Sequence, residues 1–300
     1  MTMDIVAKYL DPRVVSQLAT MELRARLIVE GFLTGFHRSP FHGFSAEFSE
    51  HRSYHPGDDL RYLDWKVLGR TDRYYVKQFE EETNLRAVIA LDQSASMRYA
   101  SDGSIAKFTY GTYLAAALAY LAMLQKDAVG VALYDETLRA YYPPRARRSY
   151  LGELLATLDR AQPSNATNTA HSLELLAERL HRRSLVIVIS DFFDDLDRIA
   201  TSLKHFRHDR HEVIAIHVLD RRELDFRFGL AATFRDMETG QEMITQPLQV
   251  QRAYTEAVSG FIEQLKAICY RANIDYVQAV TDQPFDRLLQ EYLVRRQRVR

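Results

Sequence analysis

The segment Asp92-Gln93-Ser94-Ala95-Ser96 places one carboxylate and two hydroxyls at alternate positions directly after an apolar run. Side chains at this spacing can face a single point from one tight loop. Asp191 follows another apolar run and can add a second carboxylate from across a crevice, and residues 164–169 offer further hydroxyls. An all-oxygen set with few formal charges suits a hard cation. The sequence therefore predicts a Mg²⁺ site, with Mn²⁺ or Ca²⁺ as alternatives.

The same residues also allow two other interpretations. Asp and Ser commonly accept backbone hydrogen bonds at the start of a helix, which would make them caps. An Asp at the end of a first strand is also typical of haloacid-dehalogenase-like phosphatases, which need a second Asp two residues later. Ser94 stands at that position, so a magnesium-dependent phosphohydrolase is the alternative and we expect a protein that is not an enzyme. Serine-hydrolase elbow, P-loop and dinucleotide-binding glycine motifs are all missing from the sequence.

The elements that must position these residues follow from five short apolar runs, each of which ends in Asp. Continuous β-branched runs of this length are typical of strands buried on both faces of a parallel sheet. Strands that alternate with helices predict an α/β fold with an open, mostly parallel, doubly wound sheet. Such sheets bind ligands outside the carboxyl ends of their strands, where the strand order reverses, and the runs that end at Asp92 and Asp191 can be neighbours there. The runs are Ala87–Asp92, Ala128–Asp135, Leu185–Asp191, Glu212–Asp220 and Ile274–Asp282, and the helical stretches are Ile105–Leu124, Arg148–Asp159, Ser172–His181, Asp194–Phe206, Leu248–Tyr270 and Asp286–Arg296.

Two regions depart from this alternation. The first, residues 1–84, combines a helical stretch with an aromatic, turn-rich segment and is interpreted as an N-terminal extension. The second, residues 222–247, contains alternating residues around a turn and predicts a β-hairpin inserted into the α/β domain of residues 85–296. Residues 297–300 form a basic tail.

The composition limits the classes of function. Hydrophobic residues make up 47% and charged residues 26% of the chain, and the net charge is −1, so no global field attracts nucleic acid or an anionic membrane. A single cysteine, Cys269, excludes an internal disulfide and a cysteine-based zinc site. The uncharged stretch 108–124 is short against the ~20 residues of a membrane span, so we expect a buried helix and no membrane insertion. No signal peptide is recognisable, and we expect a cytoplasmic protein.

The pattern Asp92-x-Ser94-x-Ser96 after an apolar strand resembles the metal-ion-dependent adhesion site of von Willebrand factor A domains. In that family a Thr from a later loop and an Asp after a later strand complete the site. The resemblance assigns these roles to Thr167, with Thr169 as the alternative, and to Asp191. The chain departs from the family where Phe192 follows Asp191, since a Gly is usual there, and where residues 164–166 replace the glycines before the Thr.

A second pattern covers nearly the whole chain. It consists of Arg52, Tyr54, Gly57, Asp58, Arg61, Asp64, Trp65 and Arg70, followed by Glu81-Glu82, the Asp92 motif, Asp236-Met237-Glu238-Thr239-Gly240, Ile274-Asp275-Tyr276 and Thr281-Asp282. This order resembles the bacterial domain-of-unknown-function family 58. The resemblance implies a von Willebrand factor A-like fold and a non-enzymatic adaptor or co-chaperone whose metal ion holds a partner's carboxylate. The implied partners are a MoxR-type AAA+ ATPase and a client protein that the sequence does not identify. The eight residues from Arg52 to Arg70 mix both signs of charge, which favours an internal salt-bridge network over a docking surface.

Overall fold

The protein is an α/β fold built on one six-stranded sheet, seen in a computed structural model that describes residues 11–36, 51–53, 69, 75–77, 85–163, 167–228, 232–235, 237 and 241–298. The strands are β1 (His51–Ser53), β2 (Tyr75–Lys77), β3 (Arg86–Asp92), β4 (Ala128–Tyr134), β5 (Leu138–Arg145), β6 (Leu185–Ser190), β7 (Glu212–Leu219), β8 (Ala232–Arg235), β9 (Glu242–Thr245) and β10 (Asp275–Val280). The helices are α1 (Pro12–Ser16), α2 (Met21–Phe36), α3 (Lys107–Leu124), α4 (Arg148–Arg160), α5 (Thr169–Arg179), α6 (Leu196–His208), α7 (Arg221–Asp225), α8 (Pro247–Arg271) and α9 (Asp286–Arg298), and a short 3₁₀ helix covers Ala95–Arg98.

The central sheet has the strand order β10-β7-β6-β3-β4-β5. Its first five strands are parallel to one another, and β5 pairs antiparallel with β4 at one edge. The chain leaves β3 for β4 on one side and later returns to β6 on the other side, so the strand order reverses at β3. The carboxyl ends of β3 and β6 are therefore neighbours, as the sequence predicts.

Helices cover both faces of the sheet, which confirms the doubly wound architecture. On one face, α2, α3, α4 and α9 bury an apolar core that includes Ile28, Leu114 and Tyr292. On the other face, α5, α6 and α8 pack on the alternate side chains of the same strands, and the Cys269 thiol lies in this second core. All residues of β4 and β6 are buried, as expected for strands with helices on both sides.

Helix α3 packs closely against the sheet at Gly111. A Cβ atom on Gly111 would lie 2.9 Å from the Leu91 side chain and 3.2 Å from Ile189, so the missing side chain lets the helix pack directly over β3 and β6. The uncharged stretch in α3 is thus the buried helix that the sequence predicts. Within the described residues, no helix is both long and apolar enough to span a membrane.

The structure differs from the sequence prediction at two places, and a third prediction falls mostly outside the described residues. The N-terminal helical stretch is split by residues 17–20 into α1 and α2, and α2 packs into the first core through side chains such as Val29. Strand β5 is not predicted, because it contains Pro143-Pro144; an edge strand accepts proline since one side of its backbone has no strand to bond. Of the predicted salt-bridge network, Arg52 lies in β1 and the other seven residues fall outside the described residues.

The inserted hairpin is present as the antiparallel pair β8 and β9. Phe234 of β8 stacks on Phe226 at a ring distance of 5.2 Å, and Phe226 in turn contacts Tyr254 of α8 at 4.1 Å. These aromatic contacts attach the hairpin to the start of the long helix α8.

Candidate functional site

Asp92, the last residue of β3, is completely buried and fixed by two hydrogen bonds. The Ser94 backbone N–H donates to Oδ1 at 2.8 Å, and the Ser190 hydroxyl donates to Oδ2 at 2.6 Å. Ser190 ends the neighbouring strand β6, so the second bond joins the carboxyl ends of β3 and β6. The carboxylate is thus held at the point where the strand order reverses.

The hydroxyls of Ser94 and Ser96 converge in the loop that follows. Their Oγ atoms are 3.1 Å apart. Ser94 occupies the cap position of the 3₁₀ helix, yet its side chain makes no capping hydrogen bond. The Ser94 hydroxyl is therefore not a helix cap, and it is hydrogen-bonded to the Ser96 hydroxyl in the loop that follows Asp92.

Asp191 follows β6 and is also completely buried. Its Oδ2 accepts a hydrogen bond from the Lys107 ammonium at 2.8 Å, and the same ammonium bonds Glu223 at 2.6 Å. Lys107 is the first residue of α3 and only 1% of its side chain is exposed. A buried lysine at the start of this helix thus orients the second carboxylate of the candidate site.

The charges of this cluster are not balanced. Burial, together with the negative charge of Asp191, raises the pKa of Asp92 to about 7. Burial alone would lower the pKa of Lys107, but the carboxylates of Asp191 and Glu223 outweigh burial and raise that pKa. Burial also raises the pKa of Glu223. With all groups ionised, three buried carboxylates face one ammonium, and a divalent cation beside Asp92 would remove the excess negative charge.

The turn after Asp191 explains one departure from the adhesion-site pattern. Phe192 adopts a φ of 54°, the left-handed region in which Gly is favoured and a bulky residue is strained. Its backbone N–H donates to the Ser190 hydroxyl at 2.8 Å, and its buried ring packs near the His217 ring at 5.9 Å. The chain therefore adopts at Phe192 a backbone conformation that favours Gly, and holds it with a hydrogen bond and core packing.

The two candidate threonines lie where the chain enters α5: Thr167 is in the preceding loop and Thr169 is the first residue of the helix. Thr167 is half-buried, whereas Thr169 is fully buried and its hydroxyl has no hydrogen-bond partner among the described residues. The Thr169 backbone N–H donates to Asp194 at 2.8 Å, which fixes this loop against the turn after β6. The loop is thus next to the turn that carries Asp191, and the choice between Thr167 and Thr169 stays a prediction.

The donor set fits a hard cation that relies on hydroxyl ligands. In the part of the chain that the structure describes, no group of three or more His, Cys, Asp or Glu could hold a metal. The paired serine hydroxyls, the two carboxylates and either candidate threonine hydroxyl are all oxygen donors, which Mg²⁺ prefers. Haloacid-dehalogenase-like phosphatases need a second Asp two residues after the first, and this chain has Ser94 at that position.

Three residues of the site escape prediction from the sequence. Ser190 is the hydroxyl directly before Asp191, so its position at the end of an apolar run could have indicated it. Lys107 is the sole charge at the start of an otherwise uncharged helix, which is a weaker signal. Glu223 lies 116 residues from Lys107 along the chain, and no local pattern relates the two.

Comparisons with known proteins relate the chain to one family and to several solved structures. A family model described as "Protein of unknown function DUF58" matches residues 50–260. An uncharacterised protein of Mycobacterium tuberculosis, Rv1480, is 29% identical over 233 residues, which cover 77% of this chain and 73% of that protein. The SpRpn10 VWA domain is similar with a TM-score of 0.44 and 11% identity over 70% of this chain and 95% of that domain.

A further solved structure corrects one prediction. An aerotolerance-related membrane protein from Bacteroides fragilis is similar with a TM-score of 0.46 and 17% identity, over 65% of this chain and 91% of that one. Another similar structure is described as a membrane-spanning protein from Vibrio fischeri. The expected cytoplasmic location is contradicted by these descriptions and is withdrawn. The lack of a recognisable signal peptide was too weak a basis for it.

Proposed function

Because the chain belongs to the protein family of unknown function DUF58, we propose that it is a non-enzymatic adaptor that binds a partner protein's carboxylate through a divalent metal ion, chiefly Mg²⁺. The family and its von Willebrand factor A-like fold point to a protein-interaction domain. The observation that carries the finer proposal is the Ser94–Ser96 hydroxyl pair, 3.1 Å apart, beside the buried carboxylate of Asp92.

Each residue has a distinct role in this proposal. Ser94 and Ser96 supply the hydroxyl ligands, and Thr167 supplies a third, with Thr169 as the alternative. Asp92 and Asp191 supply negative charge, and their hydrogen bonds to Ser190 and Lys107 hold the carboxylates in place before any ion arrives. When bound, Mg²⁺ would offer an open coordination position to an Asp or Glu of the partner.

Two features support an interaction role over catalysis. The carboxylates of the cluster are engaged by hydroxyl, backbone and ammonium donors, which orient them. The few charged ligands would leave the ion electron-poor. An ionised group of the partner would then bind the ion more strongly than a neutral group. The partner is proposed from the family resemblance alone: a MoxR-type AAA+ ATPase together with a client protein. The chain has no P-loop motif, so ATP would be hydrolysed by that partner.

The test is affinity capture from a lysate of the native cells, in Mg²⁺ and in EDTA, with bound proteins identified by mass spectrometry. The variant Ser94→Ala/Ser96→Ala removes both hydroxyls without removing a buried charge. Ser149→Ala is the matched control, because it removes an exposed hydroxyl from α4. This helix follows the antiparallel strand β5 and so begins near the amino ends of the parallel strands, away from the candidate metal site.

We expect wild type and Ser149→Ala to capture the same AAA+ ATPase in Mg²⁺, and to lose it in EDTA. The double variant should not capture it in either buffer. Capture of the same protein by the double variant in Mg²⁺, or by wild type in EDTA, would contradict a metal-bridged contact. A circular-dichroism melt of each variant checks that the fold is intact.

A further inference from the structure

A cavity lies at the amino ends of the parallel strands, whereas the candidate metal site lies at their carboxyl ends. It has a volume of about 420 Å³ and opens between the end of β5, the carboxyl end of α5 and the start of β3. Small-molecule sites have volumes of about 300–1,000 Å³, so this cavity can hold more than a lone inorganic ion. Tyr141, Pro143, Pro144 and Leu180 give it an apolar wall.

The polar lining of this cavity is strongly basic. Arg86, Arg179 and Arg182 line it together with one acidic residue, Glu178. Arg86 is half-buried and the other two arginines are exposed, and among the described residues none of the three forms an ion pair. The formal charge of these four residues therefore exceeds neutrality by two positive charges.

Arg86 is the informative member of the set. Its Nε is buried and has no hydrogen-bond partner within the described part of the chain. Arg86, Arg179 and Tyr141 line the same cavity. A buried guanidinium N–H without an acceptor is costly, and an anion in the cavity would provide the acceptor.

The position of α5 does not explain this arrangement by itself. Arg179 is the last residue of that helix, where cations interact favourably with the helix dipole, and Arg182 lies in the segment that follows it. Arg86, however, begins β3 and belongs to no helix. The convergence of a strand arginine with helix-end arginines around one cavity needs a different reason.

We infer that this cavity binds a small phosphorylated molecule, with its phosphate groups on Arg86, Arg179 and Arg182 and its organic part against Tyr141. Planar guanidinium groups match phosphate oxygens in paired hydrogen bonds, and the excess of two positive charges matches a ligand with at least two negative charges. The inference does not depend on the metal site, which lies at the carboxyl ends of the strands.

The experiment is isothermal titration calorimetry of the full chain with inorganic pyrophosphate, ADP and adenosine. All titrations contain EDTA at one fixed ionic strength, so that no metal ion at the candidate metal site can bind a phosphate. Arg182→Gln removes a charge from the cavity. Arg183→Gln is the matched control, since it removes a neighbouring charge that lies outside the cavity and pairs with Glu212 at 3.3 Å.

We expect pyrophosphate and ADP to bind and adenosine not to bind. Arg182→Gln should weaken the binding of both by about tenfold or more, whereas Arg183→Gln should change it less than about twofold. Arg86→Lys, which keeps the charge and loses the planar group, should also weaken binding. The inference is overturned if neither phosphate compound binds, if adenosine binds as well as ADP, or if Arg182→Gln and Arg183→Gln have equal effects.

Discussion

Replacement of Lys107 by Met should destabilise the fold by about 3–5 kcal/mol, because the change leaves two carboxylates buried without their cation. The ammonium lies 2.8 Å from Asp191 and 2.6 Å from Glu223, and 1% of the lysine side chain is exposed. Methionine keeps most of the apolar volume of lysine, so packing contributes little to the loss. Small domains have a total stability of about 5–15 kcal/mol, so the variant should fold with a much reduced margin.

The assay is urea unfolding at neutral pH, followed by circular dichroism. Lys266→Met is the matched control, because Lys266 also bonds a carboxylate, Glu263, at 2.8 Å but on an exposed surface of α8. We expect that control to cost less than about 1 kcal/mol. Addition of Glu223→Gln to Lys107→Met should recover part of the loss, since one uncompensated charge is removed.

Equal losses for Lys107→Met and Lys266→Met would refute the reasoning. So would a double variant that is less stable than Lys107→Met alone. Either result would mean that the buried ammonium does not neutralise the carboxylates of Asp191 and Glu223, and that Asp191 is oriented by other contacts.

Three further predictions concern the same fold. Burial lowers the pKa of His217 to about 4, so the unfolded chain takes up that proton at a higher pH than the folded protein, and stability is lost as the pH falls from about 6.5 towards 4. Between about pH 7.5 and pH 4.5, wild type should therefore lose roughly 2–3 kcal/mol more than His217→Gln in urea unfolding; equal losses would show that this histidine is not the group responsible. Gly111→Ala should cost about 1–3 kcal/mol, because its Cβ would lie 2.9 Å from the nearest side chain of β3, whereas Gly152→Ala in α4, with nothing within 4 Å, should leave the melting temperature unchanged or raise it. Mn²⁺ titration should show a loss of affinity of about tenfold in Thr167→Val and little change in Thr169→Val; the opposite order would make Thr169 the ligand.

The fold follows from the sequence because its strands carry an unambiguous signal. Runs such as Leu185–Ser190 are continuous and β-branched, and only a strand with helices on both faces buries such a run. The strand-order reversal then places Asp92 beside Asp191 without any knowledge of tertiary contacts. Strand β5 fails this test because its side chains are mostly half-exposed and it contains two prolines.

The charge environment of the site could not be predicted in the same way. Lys107 neutralises carboxylates that stand 84 and 116 residues away, and its burial depends on how closely α3 approaches the sheet. The left-handed turn at Phe192 is likewise a tertiary effect, since the buried ring compensates a conformation that its residue type disfavours. Local sequence identifies the ligands of such a site better than the groups that hold them.

The most direct test of the central claim is a calorimetric titration of Mg²⁺ into the EDTA-stripped full chain, repeated with Ser94→Ala/Ser96→Ala and with Ser149→Ala. The proposed site predicts one binding event in wild type and in Ser149→Ala, and none in the double variant. Absence of Mg²⁺ binding in wild type, or equal affinity in the double variant, would contradict a metal site at the carboxyl ends of β3 and β6.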